Sequence, residues 1–172
     1  FGVAVPLGQE TPTLDALVRI GEYYRTGSHP QLVGSTDPIV LSCQKNYHLL
    51  FTDGYTNQPA VPTTVVGNQD DKVPTYPDYA TKPILGLVPG AAWPGPFRED
   101  SSGSASNGLS DYAMYYWVTD LRPAGPQSSN NVPASDRDPA SWQHQNFAAV
   151  SLGTTGKLPA GRLTGLGNGL DK

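Results

Sequence analysis

The chain is poor in charged residues, in long apolar runs and in sulfur, and each shortage argues against some kinds of protein or segment. Only 15% of its 172 residues are charged, and fifteen acids against eleven bases give a net charge of −4. That balance argues against nucleic acid as a partner, because nucleic-acid binders carry a basic excess that neutralises phosphates. No apolar run approaches the roughly 20 residues that cross a bilayer, and no charged segment precedes the apolar start as in a signal peptide. We therefore expect no membrane span and no signal peptide within these residues.

Sulfur is almost absent, with Cys43 and Met114 as the only two sulfur-bearing residues. A lone cysteine excludes an internal disulfide and leaves two interpretations open. Either Cys43 is a buried, inert thiol, or its disulfide partner lies in a missing part of a longer protein. A chain that begins at Phe1 inside an apolar stretch favours a piece of a longer polypeptide.

The length fits one domain, and periodicity predicts where its order lies. Apolar residues recur at helical spacing in residues 11–25 and predict an amphipathic helix there. Thr11 suits the N-cap, Pro12 suits the first helical position, and Gly27 suits a left-handed exit. The apolar stripe of this helix consists of Leu14, Leu17, Val18 and Tyr24.

Three further segments complete the predicted frame. Compact apolar runs near 46–52 and 147–153 predict two buried strands. Residues 109–119 predict a short helix capped by Ser110, whose aromatic residues we expect in the core or at a subunit interface rather than in an adhesive patch. Helices together with buried strands indicate an α/β sheet.

Proline, glycine and serine dominate the stretches between these elements. The 19 Gly and 17 Pro make up about a fifth of the chain, far above average usage. We interpret residues 55–108 and 121–140 as loop insertions in a domain covering 1–153, and residues 154–172 as a glycine-rich tail or linker.

Asp53 is the first candidate for chemistry. It directly follows the first predicted strand, at the carboxyl end where α/β sheets bind ligands, and a glycine after it permits a sharp turn. A carboxylate there can hold a cation, or it can merely cap the next turn. Thr11 carries the same two interpretations, since an N-cap hydroxyl can satisfy backbone N–H groups or turn outward to a hard cation.

Together these contexts resemble the latter half of a von Willebrand factor A-like domain, a Rossmann-like α/β fold. The resemblance rests on residues 10–17 (ETPTLDAL) and 49–54 (LLFTDG). It implies that Thr11 and Asp53 belong to a metal-ion-dependent adhesion site, whose first part is an Asp-x-Ser-x-Ser motif. In this chain that spacing occurs only at residues 100–104 (DSSGS), and not ahead of residues 10–17 as the resemblance requires. Mg²⁺ requires about six oxygen ligands, Ca²⁺ six to eight. The resemblance therefore implies a divalent cation, Mg²⁺ or Ca²⁺, only if the missing motif is supplied elsewhere.

A longer set of blocks resembles the PilC/PilY family of type IV pilus tip-associated adhesins and biogenesis factors. The blocks are 43–47 (CQKNY), 110–117 (SDYAMYYW), 119–123 (TDLRP), 130–133 (NNVP) and 138–144 (DPASWQH). This resemblance implies an extracellular place at the pilus tip or on the bacterial cell surface or outer membrane. It implies as partners pilin subunits or pilus tip proteins, a host or abiotic surface ligand, and the remaining N-terminal part of the same protein or another chain.

Catalysis is the weakest interpretation. The three histidines, His29, His48 and His144, lie in dissimilar contexts, and the chain lacks a Gly-x-Ser-x-Gly nucleophile elbow. His48 sits within an apolar strand and is more typical of a core or interface residue than of a base. We expect a binding protein rather than an enzyme; the alternative is a structural pilus tip or filament component without metal-dependent ligand binding.

Overall fold

A computed structural model describes residues 12–28, 34, 36–52, 64–69, 106–135 and 138–152. Within them the chain forms two helices and two strands, in the order α1 (Thr13–Thr26), β1 (Asn46–Thr52), α2 (Leu109–Val118) and β2 (Gln145–Ser151). This arrangement confirms the mixed α/β class. The predicted von Willebrand factor A-like fold and the domain division remain predictions.

Helix α1 closely follows the predicted pattern. Leu17 and Val18 are buried, and Leu14 and Tyr24 pack beside them. The helix ends at Gly27, which has φ 74° and donates its N–H to the Tyr23 carbonyl oxygen at 2.9 Å. Glycine suits this position because it adopts a left-handed conformation without a Cβ penalty. The helix begins one residue later than predicted, since Pro12 is the N-cap and not the first helical residue.

Helix α2 forms where predicted, but Ser110 is not its cap. The helix begins at Leu109, and Gly108 takes the N-cap position. The Gly108 N–H is satisfied by Asp111, whose Oδ2 accepts it at 2.9 Å. The Oδ1 of the same carboxylate accepts the Gln69 N–H at 2.7 Å. Asp111 thus starts α2 and also ties residues 64–69 to it.

The aromatic residues of α2 belong to the core, as predicted. Tyr112, Tyr116 and Trp117 are buried, and Tyr112 and Tyr116 pack against Leu17 and Val18 of α1. The Tyr116 hydroxyl donates toward Glu22 Oε1 at 3.0 Å. Helices α1 and α2 are therefore joined mainly by aromatic burial.

The sheet consists of β1 and β2, which pair in parallel. Asn46 lies opposite Gln145, and the register runs without a bulge to Thr52 opposite Ser151. Parallel neighbours require a crossover connection, and α2 lies between the two strands in sequence. One face of the sheet turns toward α2, since Phe147 packs at the edge of the α1–α2 core.

The strands are half-buried, which corrects the prediction that both are buried. Along β1, burial alternates, with Asn46 and His48 inside. The outer face bears Tyr47, Leu49 and Phe51, which remain exposed. The hydrophobic content of β1 predicted burial on two sides, whereas the described residues cover only one.

The segment after α2 is irregular but well packed. Leu121 is completely buried, and its N–H donates to the Gln143 carbonyl oxygen at 2.8 Å. Val132 is likewise buried, with its N–H bonded to the Ser141 carbonyl oxygen at 3.0 Å. Within residues 121–135 and 138–140 the only β-bridge is an isolated one between Ser135 and Asp138. No helix or strand forms in these ranges, and the loop insertion over residues 121–140 stays a prediction.

Neither helix in the described part of the chain has the length and apolar character needed to cross a membrane.

Gly21 provides a test of the packing between α1 and α2. A Cβ at this position would overlap the ring of Tyr116, which is fully buried and cannot swing away. We expect Gly21→Ala to lower the free energy of unfolding by about 1–3 kcal/mol, the usual cost of overpacking. Helix propensity alone predicts the opposite, a gain of roughly 1 kcal/mol, so the sign measured by urea unfolding is decisive.

The control for Gly21→Ala is the same change in a Tyr116→Leu background. If the ring causes the penalty, the two substitutions will couple, and Gly21→Ala will cost less there. An equal cost in both backgrounds would mean that the Tyr116 ring is not the cause.

Candidate functional site

A groove lies at the carboxyl end of the sheet, on the side of the α1 N-terminus. Its volume is about 610 Å³. Helix α1 contributes its first turn, and the two strands contribute their last residues. The lining residues are Pro12, Thr13, Ala16, Leu50, Phe51, Thr52, Val150 and Leu152.

The two predicted metal ligands, Thr11 and Asp53, lie outside the described residues. Their chain neighbours do not, and Pro12 and Thr52 both line this groove. The described ends of helix α1 and strand β1 therefore meet at one place. Whether Thr11 and Asp53 come together beside this groove stays a prediction.

The groove has few ligands of its own for a hard cation. Among its described lining residues, only Thr13 and Thr52 carry a side-chain oxygen, and the rest are apolar. No group of three or more His, Cys, Asp or Glu suitable for a metal occurs in the described ranges. Since Mg²⁺ and Ca²⁺ require six or more oxygens, these residues alone do not fit a cation.

A second polar region lies at the opposite end of the sheet and centres on Asp138. Its Oδ1 lies 2.9 Å from His144 Nε2 and accepts the indole N–H of Trp117 at 3.4 Å. Its Oδ2 accepts hydrogen bonds from Lys45 Nζ and Asn146 Nδ2, each at 3.1 Å. Asp138 is buried, so the carboxylate is satisfied almost entirely by protein groups.

These contacts set the ionisation of Asp138. Burial by itself raises the pKa of this carboxyl, but the hydrogen bond and charge of His144, followed by the hydrogen bonds from Asn146 and Lys45, outweigh burial. The net effect holds the pKa of Asp138 far below its usual range. The carboxylate therefore stays charged in the folded protein at any ordinary pH.

His144 holds a structural position. Its Nδ1 lies 2.7 Å from the Trp142 carbonyl oxygen, and its Nε2 faces Asp138. The side chain is completely buried. Because both ring nitrogens are engaged and out of reach of solvent, His144 lacks the free nitrogen that a general base presents to a substrate.

A chain of buried amides fixes the start of the two strands. Asn46 donates its Nδ2 to Gln143 Oε1 at 2.9 Å and to the His144 carbonyl oxygen at 3.0 Å. Gln44 donates to Asn46 Oδ1 at 2.9 Å. Gln143 also donates to the Ser42 carbonyl oxygen at 2.6 Å. These bonds tie the segment before β1 to the segment before β2.

His48 lies on the inner face of β1, in keeping with a core residue. It is buried, and its ring meets Phe147 edge-on with a centroid separation of 5.3 Å. Burial lowers the pKa of His48. Its Nδ1 has no hydrogen-bond partner among the described residues. His29, the third histidine, lies outside them.

Two further findings concern side chains that sequence patterns could not place. Cys43 is exposed, so the buried-thiol interpretation was wrong. The sequence did not predict the role of Asp138, because two of its partners are distant along the chain: Lys45 is 93 residues away and Trp117 is 21. The only local signal was the clustering of amides, His144 and Trp142 just before β2.

The lowered pKa of Asp138 predicts how the stability of the fold depends on pH. A carboxyl whose pKa is lower in the folded state stabilises the fold above its unfolded pKa of about 3.9, and this contribution is lost as the pH falls further. We expect Asp138→Asn to lower the free energy of unfolding by about 3 kcal/mol at pH 7, since it removes a buried charge that His144, Asn146 and Lys45 stabilise. The variant will also lack part of the loss that the parent shows below pH 4, measured by urea unfolding across pH.

The matched control is Asp15→Asn, which breaks a surface pair with Arg19 one turn along α1. Exposed pairs of this kind contribute less than about 0.5 kcal/mol. Equal losses for the two variants would contradict a special role for Asp138.

Comparisons with known proteins find similarity to a type IV pilus protein. It is 29% identical over 181 residues, covering 92% of this chain, to the type IV pilus biogenesis factor PilY1 of Pseudomonas aeruginosa strain PAK. PilY1 of strain UCBPP-PA14 is 30% identical over 168 residues, covering 89% of this chain. The matched regions make up only 14% and 13% of those proteins, so the chain spans about a seventh of their length.

No protein-family model and no solved structure matches the chain. The similarity to PilY1 therefore identifies relatives without adding a fold. It confirms the resemblance to type IV pilus factors, and the chain is homologous to one portion of PilY1.

Proposed function

We propose that this chain is a binding segment of a type IV pilus-associated factor, with a role in pilus biogenesis and surface attachment. The observation that carries this proposal is the similarity to PilY1, a type IV pilus biogenesis factor, over about nine-tenths of the chain. Because the chain spans a small part of those relatives, its place at the pilus tip or cell surface is itself part of the proposal.

The binding site of this proposal is the groove at the carboxyl end of the sheet. Thr11 and Asp53 contribute a hydroxyl and a carboxylate next to Pro12 and Thr52, which line that groove. Both are hard oxygen ligands of the kind that Mg²⁺ and Ca²⁺ prefer. The convergence of the two described chain ends supports this pair.

Two residues do not complete a cation site, so the proposal requires more oxygens from elsewhere. Serine hydroxyls and a second carboxylate from another segment or another chain would raise the count toward six. When bound, the cation would supply an open position for a carboxylate on a partner. In this scheme the chain's own residues orient the site, and the apolar lining of the groove limits access of water.

The partners of such a site are pilin subunits or pilus tip proteins on one side, and a host or abiotic surface ligand on the other. The described part of the chain favours binding over catalysis, because its most polar cluster, around Asp138 and His144, is buried and internally satisfied. That cluster therefore stabilises the site rather than reacting with a ligand.

The metal proposal is tested with Asp53→Ala in the full-length protein. We expect Mn²⁺ affinity, measured by titration calorimetry, to fall by roughly tenfold or more, as for loss of a ligand-shell residue. Thr11→Val should weaken Mn²⁺ in the same direction. Asp37→Asn removes a carboxylate beside Gly27, at the opposite end of α1, and should leave Mn²⁺ affinity unchanged.

The second candidate is a structural pilus component without metal-dependent binding. The apolar side chains on the outer face of β1 are exposed, which favours this structural role. Exposed apolar surfaces of this kind suit assembly against another segment. If Asp53→Ala leaves both metal affinity and surface attachment intact, the metal site is wrong and this structural role replaces it.

A further inference from the structure

The outer face of the two-stranded sheet is apolar and open in the described part of the chain. Tyr47, Leu49 and Phe51 of β1 point to this side and are 64%, 54% and 70% exposed. Register places Ala148 beside Leu49 and Val150 beside Phe51. Val150 is also exposed. No charged residue interrupts this face, which we call the open sheet face.

Parallel pairing makes an open apolar face unusual. Parallel sheets have both faces covered by helices, because the crossover connections lay helices on them, whereas antiparallel sheets often expose one polar face. Here the inner face already meets the α1–α2 core through Phe147. The outer residues of β1 are apolar, as in a strand that is buried on both sides. The one polar residue on this face is Asn146, which lies opposite Tyr47 and donates to Asp138.

The described sheet is also too small to be stable by itself. Two strands alone are marginal, and sheets of three or more strands, or packing on a helix, are the stable arrangement. Large exposed apolar side chains in a row are typical of an interaction surface, while single exposed ones are ordinary. The open sheet face therefore has the chemistry of a buried layer.

We infer that the open sheet face is an interface for a helix with an apolar stripe, supplied by polypeptide outside these 172 residues in the same protein. The relatives support this occupant, because the region that matches this chain is only 13–14% of their length. A helix fits better than a strand pair, since helices are what cover parallel sheets. The inference concerns the sheet face alone and does not depend on the metal site.

The experiment measures how fast a cysteine on the open sheet face reacts with a maleimide. Leu49→Cys is made in a Cys43→Ser background, because Cys43 is itself exposed. Val65→Cys is the matched control, since Val65 is 66% exposed and lies off the sheet. Each variant is labelled in the 172-residue chain and in the full-length protein, and modification is followed peptide by peptide by mass spectrometry.

We expect Leu49→Cys to react at least about tenfold more slowly in the full-length protein than in the 172-residue chain, as for a site that reacts only on local opening. Val65→Cys should react at similar rates in both. Tyr47→Cys on the same face serves as a second variant if Leu49→Cys folds poorly, which circular dichroism would reveal.

Two results would overturn the inference. Equal labelling of Leu49→Cys in both proteins would mean that nothing outside the chain covers the face. Protection already present in the 172-residue chain and increasing with protein concentration, with dimers in sedimentation, would assign the face to a second copy instead.

Discussion

One buried carboxylate joins α2, β2 and the segment before β1. Asp138 accepts hydrogen bonds from the segment before β1 through Lys45, from the end of α2 through Trp117, and from β2 through Asn146. A buried anion is costly unless it is paired and hydrogen-bonded, so these elements must arrive together before the charge is tolerated. The cost of any missing partner makes this arrangement specific, because a shifted strand or helix would leave the charge unsatisfied.

The two ends of the sheet have different structures and different roles. The amino ends of β1 and β2 carry a closed polar network, in which Asn46 and Gln143 bond across the strands. The carboxyl ends border an open groove with Pro12 and Thr52 at its rim. A rigid amino end fixes the register, and a fixed register fixes where each strand stops. The position of Thr52 at the groove is thus determined by amides about six residues earlier.

Local patterns predicted the elements well, and long-range polar contacts not at all. The stripe of Leu17 and Val18 predicted α1, and Gly27 predicted its end, because both signals act within one or two turns. Ser110 failed as a cap because Asp111 reaches back to Gly108 and bonds it instead. Asp138 could not be found from spacing, since its partners come from three separate stretches of chain. Of the candidate site, the sequence predicted which elements meet at the groove, while Thr11 and Asp53 themselves remain predictions.

The metal site and the open sheet face make related demands on the rest of the protein. Thr11 and Asp53 offer two oxygens where a hard cation needs about six. Within the described residues the sheet has two strands and one covered face, whereas a stable parallel sheet has more strands and two covered faces. Both deficits occur on the sheet, and a further strand that ends in oxygen ligands, together with its crossover helix on the open sheet face, would remove both. If Leu49→Cys is protected in the full-length protein but no metal binds, the open sheet face is covered independently of a metal site. The chain would then have an assembly role alone.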